Sequence, residues 1–249
     1  MSLKSKYIAP KFKKESNPRI GLLALSTDLT IESDFQSICH SLPIDVFVNR
    51  IHNENPLTKE NLLKMYAQIE SITEKILPEE KISTVAYACT SGTIAIGEDK
   101  VKEKIQLAKP DCHVTTPITS AIKAFNKMNI KKISVFTPYP ESVNKTISEY
   151  LIKKNINVVS FSTFNLDLDV DFARIDPKYL SEVLIKLNTK DADALFVSCT
   201  ALPALEIIDE VEKKINKLVF SSNQTLIWDT IRSVGYKNSV TGYGKLLRI

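Results

Sequence analysis

The feature that most constrains the fold is a duplication with a period of 110 residues. Val85-Ala86-Tyr87-Ala88-Cys89-Thr90 in the first half is matched by Leu195-Phe196-Val197-Ser198-Cys199-Thr200 in the second, and the same offset carries Thr27 onto Thr137. Each copy is an apolar run of strand length that stops at Cys-Thr, followed by a stretch that reads as a helix. A unit repeated at this length is a whole strand–helix subdomain rather than a solenoid repeat of 20 to 50 residues.

Reading outward from the two copies gives the same alternation in each half. Strands are predicted at Arg19–Leu25, Ile44–Val48, Thr84–Ala88 and His113–Thr116, and then at Lys132–Phe136, Asn157–Phe161, Ala194–Ser198 and Lys217–Phe220. Helices are predicted between them: Ile31–Leu42, Lys59–Leu77, Thr93–Ala108 and Ile118–Met128, then Glu141–Lys154 and Pro177–Leu187, one starting at Pro203, and one capped by Ser221-Ser222-Asn223 that runs through Trp228 to Ser233. Such alternation predicts an α/β protein with parallel sheets flanked by helices. The duplication makes it two similar lobes related by a pseudo-twofold, residues 19–117 and 118–249, with the active site in the cleft between them. Residues 1–18 form a basic tail, a solvated leader.

Composition narrows the function classes. The net charge of +4 comes from the tail, whose lysines (Lys4, Lys6, Lys11, Lys13, Lys14) outweigh Glu15 by four, so the body is about neutral and no cationic stripe suggests nucleic acid. No stretch approaches the roughly 20 apolar residues of a membrane helix, and the tail lacks the apolar run of a secretory signal. The expectation is a cytoplasmic protein with neither nucleic-acid nor membrane partners. Four cysteines show no CxxC pair, His40, His52 and His113 are scattered, and six glycines form no phosphate-binding loop. No metal and no cofactor is expected.

In open α/β sheets ligands bind beyond the carboxyl ends of the strands, which selects Ser26-Thr27-Asp28, Cys89-Thr90-Ser91, Thr137-Pro138-Tyr139 and Cys199-Thr200-Ala201. A pseudo-twofold puts Cys89 and Cys199 on opposite walls of one cleft. Each is expected just before a helix N-terminus, which lowers a thiol pKa, and the amides of Thr90, Ser91, Thr200 and Ala201 could hold a carboxylate. Cys39 and Cys112 lack this setting and read as structural.

Ala-Cys-Thr-Ser-Gly-Thr in one half and Ser-Cys-Thr-Ala-Leu in the other resemble the aspartate/glutamate racemase superfamily. The likeness is nearest to its maleate cis–trans isomerase and arylmalonate decarboxylase branch, including relatives from ectoine utilisation. It extends to Thr137-Pro138-Tyr139, Ser221-Ser222-Asn223-Gln224 with Trp228, and Gly242-Tyr243-Gly244-Lys245-Leu246-Leu247. The resemblance implies a cofactor-independent isomerase acting on a small carboxylate or amino-acid-like substrate, and a homo-oligomer, as relatives commonly are. In a maleate isomerase Cys89 would add to the double bond and Cys199 would serve as acid and base; in a racemase the two thiols would exchange the α-proton. It also implies that Tyr139 contacts a substrate carboxylate. The decarboxylase branch uses one of the two cysteines, so both being present argues against simple decarboxylation. Asp28 stands where the isomerases have asparagine, which favours a substrate with an amino or other N–H group, unless Asp28 only caps the next helix. The Asn165–Asp169 segment is a further candidate contact. The alternatives are a non-catalytic two-lobe metabolite binder and an arylmalonate decarboxylase-like lyase.

Overall fold

Eight short apolar runs form eight parallel strands, four to a sheet. The computed structural model describes residues 5–12 and 17–249; Lys4, Lys13 and Lys14 of the basic tail lie outside the described residues. Chain order is β1 (Arg19–Leu25), α1 (Ile31–Cys39), β2 (Asp45–Ile51), α2 (Lys59–Lys64), α3 (Ile69–Glu74), β3 (Thr84–Tyr87), α4 (Thr90–Ile96), α5 (Glu98–Ala108), β4 (His113–Thr115) and α6 (Pro117–Lys127). It continues with β5 (Lys132–Thr137), α7 (Glu141–Lys153), β6 (Asn157–Thr163), α8 (Asp169–Ala173), α9 (Pro177–Lys186), β7 (Ala194–Val197), α10 (Ile208–Ile215), β8 (Leu218–Ser221) and α11 (Ser222–Ser233). The first sheet has the order β2-β1-β3-β4 and the second β6-β5-β7-β8, the same order under the 110-residue repeat. β3 and β7 are therefore interior strands, buried along their whole length. Both cysteines follow directly from them.

Several expected boundaries move, for local reasons. The helix predicted from Thr93 divides at Gly97, whose φ of +102° suits glycine. The one predicted over Lys59–Leu77 becomes two α-helices joined by a 3-10 turn at Met65–Gln68. More consequential is the stretch after Cys199, which is not a helix start. In the first half Thr93 N–H bonds the Cys89 carbonyl at 3.1 Å and begins α4. The residue at the matching position is Pro203, which has no N–H to give. The carbonyls of Thr200 and Ala201 instead accept Asn223 Nδ2 and Thr30 Oγ1, both at 2.8 Å. Regular helix resumes only at Ile208.

The lobes exchange one helix each. α6 follows the first sheet's last strand but packs its Phe125 on the second sheet. The ring meets Phe196 of β7 and Phe220 of β8 edge-on, with centroids 5.4 and 5.2 Å away. α11 follows the second sheet and returns to the first: Ser233 bonds Thr84 of β3 at 2.7 Å and Thr230 bonds Thr115 of β4 at 2.8 Å. α11 is buried from Ser222 to Ile231, so these hydroxyls need the partners they have. The exchange fixes the lobes against each other and holds the two cysteine-bearing strand ends together.

Candidate active site

Cys89 is extended (φ −145°, ψ 113°) and caps α4: its Sγ accepts the Gly92 N–H at 3.2 Å, with Ser91 Oγ at 3.8 Å. Cys199 leaves β7 toward a non-helical loop, where the Ala201 N–H and the Tyr139 hydroxyl favour its ionised form. Tyr139 is braced from behind, its carbonyl accepting Asn144 Nδ2 at 2.8 Å and Thr163 Oγ1 at 2.5 Å, while its ring meets Phe172 edge-on. Asp28 and Asp169 act electrostatically on both sulfurs and both sulfurs act on Tyr139, and the Thr200 hydroxyl beside Cys199 reaches the Ala88 carbonyl beside Cys89 at 3.4 Å. The two strand ends thus converge on one small space.

The space is dry. Both cysteines are 3% exposed. Burial pushes the Cys89 thiol up to about 12, although the Gly92 N–H opposes it, and burial lifts Cys199 well above its ordinary value although Tyr139 opposes it. This corrects the expectation of thiols with lowered pKa. The N-terminal amide of α4 does favour the Cys89 thiolate, but desolvation is the larger effect, and Cys199 has no helix behind it. Both rest as neutral thiols.

The other expected residues separate into two groups. Ser91 stands beside Cys89 and also borders a cavity of about 40 Å³ between α4 and α7. Tyr139 faces the thiols. Thr90 points elsewhere: its hydroxyl bonds Ser222 of α11 at 2.9 Å, a contact between lobes. The Thr200 hydroxyl reaches the Ala88 carbonyl at 3.4 Å, and Ala201 presents its backbone. Asp28 is 1% exposed and its Oδ1 accepts the N–H groups of Thr30 and Ile31 at 2.8 and 3.0 Å. It does cap α1, but Oδ2, near the Thr200 hydroxyl, has no bond of good geometry among the described residues. Burial raises its pKa.

Two groups were not singled out by the sequence. Asn53, two residues beyond β2, and Asp169, at the start of α8, meet across the cleft: Asn53 Nδ2 and Thr27 Oγ1 both donate to Asp169 Oδ2, at 2.8 and 2.9 Å. Asp169 belongs to the segment considered for a further contact; Asn53 carried no signal. Asn223, named as part of a helix cap and of the stretch that carries the family resemblance but not as a site residue, links Thr200 to Asp34 of α1, donating to its Oδ2 at 2.7 Å. Asp34 is pushed up to about 7, chiefly by burial. Among the described residues no group of His, Cys, Asp or Glu is arranged to hold a metal ion, and no helix is long and apolar enough to cross a membrane.

Known proteins share this architecture. A maleate isomerase of Geobacillus stearothermophilus is 24% identical, covering 92% of this chain and 96% of its own length. The crystal structure of the maleate isomerase Iso from Pseudomonas putida S16 superposes with a TM-score of 0.86 at 20% identity, covering 94% of this chain and 99% of that one. A cysteine-to-serine mutant of the Nocardia farcinica maleate cis–trans isomerase, solved with a covalently bound succinylcysteine intermediate, gives 0.85 at 19% identity, covering 94% and 99%. The arylmalonate decarboxylase family model matches residues 66–247, which include both cysteines, Tyr139 and Asp169. With nearly three quarters of its length matched, the chain belongs to the arylmalonate decarboxylase family.

Proposed function

We propose that this protein is a cofactor-independent isomerase of a small carboxylate, with Cys89 and Cys199 working from opposite faces of the substrate. The observation that carries this reading is the pair of buried thiols at equivalent interior strand ends, each given a donor that favours its ionised form. The full-length likeness to maleate isomerases supports it. A carbanion beside a carboxylate is stabilised as an enediolate, and the Ser91 and Ala201 amides with the Tyr139 hydroxyl are the donors suited to hold it.

The proton inventory is simple. Both sulfurs rest as thiols, so one must first release its proton to solvent as substrate enters; chemistry then starts from one thiolate and one thiol. In addition–elimination, Cys89 sulfur adds to one alkene carbon, the electron pair moves to the other, and Cys199 supplies the proton there. Rotation about the new single bond follows; Cys199 takes the proton back and Cys89 leaves. In racemisation one thiolate removes the α-proton and the opposite thiol returns one. A thiol mechanism favours a reducing compartment, the cytoplasm, and a homo-oligomer of two-lobed subunits (19–117 and 118–249) is the assembly we assign.

The test is a panel of 2-amino acids, maleate and related diacids followed by chiral and cis–trans product separation. Cys89→Ser and Cys199→Ser are each expected to abolish turnover; wild-type-like activity in either overturns the two-thiol mechanism. Deuterium uptake at the α-carbon in D₂O separates the routes, since racemisation requires exchange and addition–elimination does not.

A further inference from the structure

The hydrogens around Asp169 can be counted. Asn53 Oδ1 accepts Ser26 Oγ at 3.1 Å and the Thr27 N–H at 3.4 Å, which turns the Asn53 amide so that its two N–H bonds go to Thr27 Oγ1 and Asp169 Oδ2, both at 2.8 Å. The Thr27 hydroxyl has one hydrogen and two acceptors in reach, the same Asp169 oxygen at 2.9 Å and Asn53 Oδ1 at 3.1 Å. Asn53 and, at the shorter of its two distances, Thr27 are donors to Oδ2 that favour the carboxylate, against the burial that raises its pKa. Oδ1 takes no donor among the described residues. Asp28 repeats the arrangement: two backbone N–H bonds on Oδ1, and none of good geometry on the fully buried Oδ2.

Among the described residues neither acid forms an ion pair. Arg50, whose charge acts on Asp28, turns its guanidinium to the Leu25 and Asp28 carbonyls and to Glu32. Among the described residues no basic side chain acts on Asp169, and the charge of Asp28 bears on it unfavourably. A site built for a substrate with carboxylates at both ends would set two charges of the same sign against a pair of acids in a dry cleft.

Accepting the isomerase reading, we propose that Asp169, backed by Asp28, reads a protonated nitrogen, so that the substrate is a carboxylate that also carries an ammonium or comparable cationic group. Asp169 is then the residue that sets specificity. Asp169 is near enough for its charge to act on Cys89, Cys199 and Tyr139. A cation there also offsets the like-charge cost that the two acids impose on a thiolate.

Matched pairs of ligands test this without knowing the natural substrate. Aspartate (each enantiomer) against succinate, and alanine against propionate, differ by the amino group alone. Isothermal titration of the wild-type protein at pH 7.5 is expected to show at least tenfold tighter binding of the aminated member in one pair or both. Asp169→Asn should bring that ratio down to about one. Equal or tighter binding of succinate and propionate, the result a protonated acid would give, overturns the proposal. So does the absence of any preference, or a preference that survives Asp169→Asn. The wild-type titration stands even if the variant fails to fold. Retained preference with no isomerisation or α-proton exchange of any panel compound would sink the isomerase reading and leave this one intact.

Discussion

Gly92 is wedged against the chemistry, and adding one methyl there tests whether the Cys89 sulfur must stand where it does. A Cβ on Gly92 would lie 2.7 Å from Cys89 Sγ, 2.8 Å from Met65 Cε and 2.8 Å from the Tyr87 hydroxyl. Relief to an ordinary contact needs about 1 Å. Met65 can swing its terminal methyl aside, but Tyr87 is fully buried in the interior strand and holds its ring. The sulfur therefore gives way and loses the 3.2 Å bond from Gly92 N–H. A 1 Å misplacement of a reacting group is worth about 100-fold in rate, or about 2.7 kcal/mol. Overpacking also costs about 1–3 kcal/mol of stability, a fall of roughly 2–12 °C in Tm at about 2–4 °C per kcal/mol for a chain this size. Gly92→Ala should thus melt a few degrees lower, stay folded, and lose about two orders of magnitude in kcat/KM on the best panel substrate. Gly97→Ala is the control. It places a side chain at φ +102° with no atom within 4 Å, so it costs about 1–3 kcal/mol of backbone strain and spares the sulfur. Gly92→Ala activity within threefold of wild type, in a protein with the expected loss of Tm, would refute the positioning argument.

Three further outcomes follow from burial. Because desolvation holds the Cys89 thiol at about 12, its alkylation by iodoacetamide, resolved peptide by peptide, should keep accelerating through pH 10; a plateau below pH 8 would mean the thiol is activated instead. Asp34, raised from 3.8 to about 7, favours folding in its neutral form, so its contribution is full below about pH 4 and is lost as pH rises to about 7, roughly 4 kcal/mol in all at 1.36 per pH unit. Asp34→Asn should therefore raise Tm at pH 8 and leave it nearly unchanged at pH 4, and equal shifts at both would count against the assignment. Phe125→Ala empties an edge-on contact with Phe196 and Phe220 and should cost about 3–5 kcal/mol, read from urea unfolding followed by Trp228 fluorescence; a loss under 1 kcal/mol would mean α6 is not the brace it looks to be.

The strand ends were legible because they depend on local signals. Apolar runs of four to seven residues bounded by polar loops mark strands wherever both faces are buried, and Cys-Thr at a fixed offset marks the duplicated end. Asn53 was invisible for the opposite reason. β2 is an edge strand whose side chains are only half buried, so Asn49 and Arg50 broke the apolar run and hid the last residues of the strand, and with them the loop that carries Asn53. Its partner Asp169 lies 116 residues away, and nothing in either neighbourhood announces the pairing. The helix exchange was equally hidden: α6 and α11 look like ordinary crossover helices until Phe125 and Thr230 are seen on the opposite sheets.

Pro203 is the point where the duplicated frame stops being symmetric, and it bears on how two similar cysteines could take unequal parts. In the first half the chain turns straight from Cys89 into α4, so the sulfur receives a main-chain N–H from the helix's first turn, a donor fixed by backbone geometry. In the second half the missing N–H of Pro203 leaves Cys199 on a loop, and its stabilising donors are the Ala201 amide and a phenolic hydroxyl. A fixed amide can hold a thiolate but can never take up its proton. Each sulfur also has a hydroxyl near it, Ser91 Oγ at 3.8 Å from Cys89 and the Tyr139 phenol at Cys199; the phenol is far more acidic than an alcohol and is the better donor to a sulfur that gains and loses charge. On the proposed addition–elimination route that difference would suit Cys89 to forming and breaking a bond to carbon, and Cys199 to giving and retaking a proton. The backbone part of the asymmetry is carried by one residue, because Thr93 has an amide hydrogen where Pro203 has none.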